Sequence, residues 1–385
     1  MSEWRIVRLA DIAVRKGLTG GPFGSSLGSK DYVPSGIPVI RGVNLGSNGK
    51  FDIREFAYVT PEKVERELSR NLAKPGDVVF TQRGTLGQVG VVPESPYEQY
   101  VISQSQMRLR VDPDLAIPDF VYYQFRSSDM IATIHNNAIT TGVPHINLGI
   151  LAEMKLALPP LPVQRAISEV LGALDAKIAI NDRIAVAASE LARAHFSAAA
   201  KNAVNSIELR KVMDLRYGKA LPEVRREPGP VPVFGGNGIS GWHCAPLTVG
   251  PGIIIGRKGA NAGSVSWSQG PFWAIDTAFY VEPTSQGVPL EYLFFLLEGV
   301  GFRNLVGDSA IPGLNREIAL ACMALLPPPD VIDRFVETAR LLLMLQAHRS
   351  IESTSLAELR GALLPGLMSG AIRVRDAEKI VGDAT

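Results

Sequence analysis

Asp114 and the run Glu153-Met154-Lys155 loosely mimic the carboxylate-and-lysine set of a metal-dependent nuclease. Their spacing is long, and Glu153 falls in a strand-like run leading into prolines, so no shared metal is expected. Gly236-Asn237-Gly238-Ile239-Ser240-Gly241 fits the glycine pattern of a dinucleotide-binding turn and follows a strand-like VPVF. What comes next is Trp242-His243-Cys244-Ala245-Pro246 rather than a helix, and such a site needs a helix N-terminus for the pyrophosphate. A glycine-rich surface loop is the reading there. The run from Gly24 to Lys30 has the wrong spacing for a phosphate loop, and no zinc-protease, esterase or Asn-Pro-Pro-Tyr adenine-methylation motif is present. His135, His145 and His243 lie in polar loops, where hydrogen bonding suits them better than metal ligation. No catalytic residue and no metal site is assigned.

The remaining chemistry is recognition. Arg and Lys pair with guanine edges or phosphates, and Asn and Gln pair bidentately with adenine. Polar, glycine-rich loops carry such residues in both halves of the chain. In the first half they are Ser25, Ser26, Lys30, Arg41, Asn44, Arg83, Thr85, Gln104 and His145. In the second half they are Lys219, Arg225, Asn237, His243, Arg257, Lys258, Asn261 and Arg316. On any one loop these are ordinary solvated side chains; their recurrence in matched places favours recognition. The turn Pro75–Gly87 compares with Pro251–Gly263, and its glycines let the backbone approach a partner closely.

The elements that must position these loops are written twice. Pro144, Asn147, Pro159 and Pro160 recur as Pro312, Asn315, Pro327 and Pro328 at a constant offset of 168. That period is far longer than a solenoid repeat of about 20–50 residues, so a whole module is duplicated. Strand-like runs at 37–45, 77–84, 88–93 and 106–111, with a helix over Ile117–Ile134, make the first module, 1–158. Runs at 231–238, 252–259 and 277–283, with a helix over 290–299, make the second, 203–326. Each module ends in a proline joint, because proline fixes φ and lacks a donor. Long helices follow over 159–202 (from about Val163 to Ala200) and 327–366 (from about Val331 to Leu364). Their seams place Ile167, Leu171, Leu174, Ile178, Ala185, Ala188 and Ala192 on one helix. Phe335, Leu342, Leu345, Leu356, Leu359 and Leu363 occupy the other at 3–4 spacing. Asn181 and Arg349 occupy matching seam positions. Each helix of roughly 35–38 residues would be about 50–57 Å long, a spacer able to hold two globular modules apart at a fixed distance. A tail, 367–385, closes the chain.

Bulk properties agree with a two- or three-domain globular chain: 385 residues, 46% hydrophobic and 20% charged, with mean hydropathy +0.12 and pI about 7.8. A net charge of +1 neither demands nor excludes nucleic acid, since opposite faces average away. Cys244 and Cys322 lack metal-ligand spacing and read as small buried hydrophobes. No signal-peptide core follows Met1, and no apolar run reaches about 18 residues.

In this order, several motifs together resemble the DNA-specificity (S) subunits of type I restriction–modification systems over nearly the whole chain. They are Trp4–Ile12 (WRIVRLADI), Gly21–Ser26 (GPFGSS), Pro75–Val79 (PGDVV), Pro159–Ile167 (PPLPVQRAI), Leu174–Ile178 (LDAKI) and Leu367–Val374 (LMSGAIRV). The resemblance implies an α+β fold: two similar mixed α/β target-recognition domains separated by two long antiparallel coiled-coil-like helices, related by a pseudo-twofold. Each domain would read one half of a split double-stranded DNA sequence. The chain itself would be non-catalytic and cytoplasmic, with no cofactor and no membrane. Two modification subunits would bind S-adenosylmethionine and methylate adenine. Two restriction subunits, using ATP and Mg, can join. The helices, with Gln164, Arg165, Asn181 and Arg349, would dock the modification subunits. The second joint, Pro327-Pro-Pro-Asp-Val-Ile-Asp-Arg334, lacks the Pro-x-Gln pattern of Pro162–Gln164. The competing expectation is a two-domain scaffold that binds protein and not DNA; steep salt dependence separates the two.

Overall fold

The alternating apolar residues of Gln106–Val111 build the centre of a four-stranded antiparallel sheet. The computed structural model describes residues 4–46, 49–284, 287–307 and 312–384; Ser309–Ile311 of the repeat lie outside them. Two units divide the chain: residues 1–180 with 353–385, and residues 181–352.

In the first unit the sheet order is Ala13–Gly20, Gln106–Val111, Val78–Thr81, Val89–Val91. A second sheet orders Ala57–Val59, Ile37–Ile40, Tyr100–Ile102 and Leu72–Ala73, with Ile37–Ile40 and Tyr100–Ile102 running parallel. Phe80, Met107 and Leu109 lie under Phe120, Tyr123 and Phe125 in one core, and each such buried side chain contributes about 1.5–3 kcal/mol. Arg5–Arg8 pairs with Lys155–Leu158, the strand that feeds the proline joint.

The second unit repeats this plan. Its sheet orders Met213–Tyr217, Ala278–Pro283, Gly252–Gly256 and Val265–Ser268. A three-stranded sheet orders Gly238–His243, Val231–Gly235 and Trp273–Ala274, again with a parallel pair. Asn205–Glu208 pairs with Met323–Leu326. Leu9 N–H donates to Met154 O (2.8 Å), and Leu209 N–H donates to Cys322 O (3.0 Å). The repeated Asn has a physical cause: Asn147 and Asn315 both cap helices. Asn147 Oδ1 accepts from Ile150 N–H, and Asn315 Oδ1 accepts from Glu317 and Ile318 N–H.

The long helices are Leu161–Ala200 and Pro329–Ser369, both longer than the pattern predicts. Pro162 sits in the first turn, where its missing N–H is no loss. Pro365 lies inside the second helix, which continues because Leu363, Leu364, Leu367 and Met368 are all buried. The beginning of one helix packs with the end of the other in the first unit: Ile167, Leu171, Leu174 and Ile178 share a core with Leu356, Leu363 and Leu367. In the second unit Ala192 and Ala199 share a core with Ile332, Phe335 and Leu343. Leu345, expected in the seam, is exposed, and Leu343 points inward instead.

Other expectations need correction. The helix predicted over 117–134 is two, Pro118–Arg126 and Ser128–Asn136. Ser127 breaks it with extended backbone, and its hydroxyl caps the second by accepting from Met130 N–H. The closing tail is ordered: Val374–Ala384 is a helix that buries Ala377 and Val381. The glycine-rich stretch 236–241 is a hairpin, with Gly235 paired to Gly238 across Gly236-Asn237. Glu153 ends the helix Leu148–Glu153 and binds Arg8. Neither cysteine is fully buried: Cys244 is at the surface, and Cys322 bonds Ile318 O.

Candidate nucleic-acid interface

In the first unit, turns from separate strands converge on one edge. Gln82 and Arg83 N–H both donate to Ser105 O (2.7 and 3.4 Å), and Ile146 N–H donates back to Gln82 O (3.0 Å). Arg83 also bridges His145. Gly21 N–H donates to Gln106 O (2.9 Å), and a Cβ on Gly21 would lie 2.1 Å from Ser103 O, so only glycine permits this approach. The Gln104 amide then donates to Gly24 O and Leu27 O (2.6 and 2.5 Å), fixing the turn that carries Ser25, Ser26 and Lys30. These bonds link the turns that carry Ser26, Arg83, Gln104 and His145, and Lys30 and Thr85 are exposed a few residues along the same turns.

The second unit holds its turns by the same bonds. Arg257 and Lys258 N–H both donate to Thr277 O (2.9 and 3.2 Å), and Leu314 N–H donates to Arg257 O (2.9 Å). Lys258 bridges Gly313. Gly218 N–H donates to Ala278 O (3.1 Å), and a Cβ on Gly218 would lie 2.1 Å from Ile275 O. These brackets equate Gln82 with Arg257, Arg83 with Lys258, Gln104 with Asp276, and His145 with Gly313. Thr81 N–H bonds Gln88 O, and Gly256 N–H bonds Ser264 O; the second turn is thus one residue longer between these ends. Lys219, Lys258 and Asn237 are exposed and Asn261 half-exposed on the linked turns, while Arg225 is exposed on a nearby 3-10 turn.

Several predicted residues turn inward. Asn44 is buried and its amide bonds Asp52 O and Glu55 O. Arg41 is held by Glu55 at 2.9 Å. His145 is half-buried, its Nδ1 beside Val143 O. His243 is buried, its Nδ1 accepting from Glu227 N–H. Arg316 is engaged by Leu215 O, Asp214 and Glu317. Of the predicted docking residues, Gln164 is buried, accepting from Ile117 N–H and donating to Leu115 O and Pro159 O. Asn181 is buried with neither amide atom hydrogen-bonded among the described residues. Arg349 binds Glu352 at 2.6 Å, and Arg165 is exposed. Residue type alone did not separate these inward side chains from the outward ones. Sequence reasoning also missed Tyr217, an exposed ring beside Arg257, whose only signal is an aromatic between Arg216 and Gly218.

A buried ion cluster stiffens the first unit behind its turns. Asp77 accepts from Arg110 Nε and Nη2 (2.8 and 2.7 Å) and from Lys74 N–H (2.8 Å). That carboxylate raises the Arg110 guanidinium above its ordinary value, while burial pushes Arg108 below it against the pull of Asp77. Among the described residues no group of His, Cys, Asp and Glu is placed to hold a metal, and no helix is long and apolar enough to cross a membrane.

Two units of mixed sheets with loop edges share two continuous long helices, and residues 1–187 match the family described as type I restriction modification DNA specificity domain. The chain resembles the Escherichia coli type I restriction enzyme EcoprrI specificity subunit, 32% identical over 111 residues, 28% of this chain and 27% of that one. It also resembles the Methanocaldococcus jannaschii type I restriction enzyme MjaX specificity subunit, 27% identical over 193 residues, 48% of this chain and 42% of that one. The matches thus span less than half the length of these relatives. In fold it is similar to the crystal structure of the type I system S subunit from M. genitalium, with TM-score 0.65 and 17% identity over 94% of this chain and 96% of that one.

Proposed function

We propose that the chain is the DNA-reading, non-catalytic subunit of a type I restriction–modification complex, with one loop cluster for each half of a bipartite target. The observation that carries this reading is the pair of matched backbone brackets holding unlike side chains. Gln82, Arg83 and His145 stand where the other unit has Arg257, Lys258 and Gly313. A fixed frame with variable donors suits two readers of different half-sites. Catalysis then belongs to partners: two methyltransferase subunits that bind S-adenosylmethionine and dock along the long helices, and two restriction subunits that use ATP and Mg. The test is methylome sequencing of cells carrying this chain with its partner subunits. A bipartite adenine-methylated motif is expected; an unchanged methylome despite an assembled complex sinks the proposal. A protein-binding scaffold would instead show no DNA affinity that falls steeply with salt.

A further inference from the structure

We propose that Arg257 is the guanine-reading side chain of the second unit, presented as a flat fork by Tyr217. The inference rests on the DNA-reading proposal above and deepens it. The Arg257 backbone is clamped on both sides, its N–H by Thr277 O and its C=O by Leu314 N–H. Its guanidinium carbon lies 4.8 Å from the centre of the Tyr217 ring and 5.7 Å from that of Phe279. The two rings meet edge to face at 5.1 Å as register partners in adjacent strands. Arg257 Nη1 donates to Asp276 O at 2.9 Å. The Nε and Nη2 edge has no partner among the described residues.

Tyr217 is 54% exposed, with Arg257 and Phe279 against its ring. The pair lines a cleft with Asn315, Arg316 and Glu317. Those neighbours are engaged already: Asn315 caps a helix, and Arg316 binds Asp214 and Glu317. Each nitrogen of Arg316 already donates, whereas Arg257 keeps its whole Nε–Nη2 edge to offer. A planar guanidinium held over a ring and tied at one nitrogen has lost part of its rotamer freedom before any partner arrives. Its open edge carries two parallel N–H donors, which match guanine O6 and N7 in the major groove. The first unit cannot make this device. Gly21 corresponds to Gly218, so Gly20 stands where Tyr217 does, and Gln82 stands where Arg257 does.

The test compares methylated motifs from the assembled complex carrying Arg257→Gln, Arg257→Lys, Tyr217→Phe and Tyr217→Ala. Both arginine variants are expected to relax one G·C position in one half-site, losing about ten- to hundred-fold in discrimination there, with the other half unchanged. Lysine fails because it lacks the fork. Tyr217→Phe keeps the parent motif, and Tyr217→Ala approaches the Arg257→Gln pattern; if Tyr217→Ala does not fold, the arginine variants decide alone. An unchanged motif would overturn the assignment. So would full specificity in Arg257→Lys, or weaker binding to all sequences with a salt slope lower by about one, the mark of a phosphate contact. A parent complex with no bipartite motif removes the DNA-reading proposal itself, and this is scored before any variant is compared.

Discussion

Cys244 illustrates how much a single neighbour decides. Its thiol donates to Glu227 Oε2 at 3.3 Å, and that carboxylate pushes the thiol above its ordinary value. Less thiolate is present at any given pH, so alkylation of Cys244 by iodoacetamide at pH 8 is expected to be slow. Glu227→Gln lowers the thiol back and speeds modification of that peptide, read by mass spectrometry; an unchanged rate would refute the pairing. Asp77 acts in the interior. Its side chain is 2% exposed, and Asp77→Ala would leave Arg108 and Arg110 without their shared anion. A loss of about 3 kcal/mol in urea denaturation of the first unit is expected; a change below about 0.5 kcal/mol would show that the cluster contributes no stability.

At the scale of elements, Gln164 explains the departure between the two proline joints. Its amide links the start of the first long helix to the turn at Leu115–Ile117 and to Pro159. The corresponding residue in the second copy is Ile332, buried among Phe335 and Val336, so one joint is braced by hydrogen bonds and the other by apolar packing. Gln164→Ala should cost about 1–3 kcal/mol, because Ile117 N–H and two carbonyls stay buried without partners. Gln164→Ile should not recover that loss, and full stability in a melting experiment would discount the brace. The periodicity of 106–111 and the proline joints made these elements legible in the sequence. The break at Ser127 was not, since one hydroxyl able to cap a helix inside an apolar stretch has no periodic signature. Nor was the helix Val374–Ala384, although its apolar residues at 374, 377 and 381 carry helical spacing. Among the site residues, Lys30 and Arg83 were readable as exposed loop donors. Asn44, His243 and Arg316 were not separable from them, because partners such as Glu55 O, Glu227 N–H and Asp214 are set by folding.

At the scale of the molecule, each long helix gives one part to each unit. On the proposed reading, four residues inserted near Ala185, about one helical turn, lengthen the tolerated gap between half-sites and leave their bases unchanged. A methylome in which the half-site bases change instead would defeat the spacer role.

The division of the chain also has a consequence for synthesis. The second unit is a single stretch, residues 181–352, while the first is split around it. A ribosome completes the second unit's stretch before it reaches Leu356, Leu363, Leu367 and Ala377. Until those residues emerge, Leu171 and Leu174 have no covering layer from the second long helix. The half of the chain made first is therefore the half that finishes folding last, with apolar surface open to chaperones in the interval.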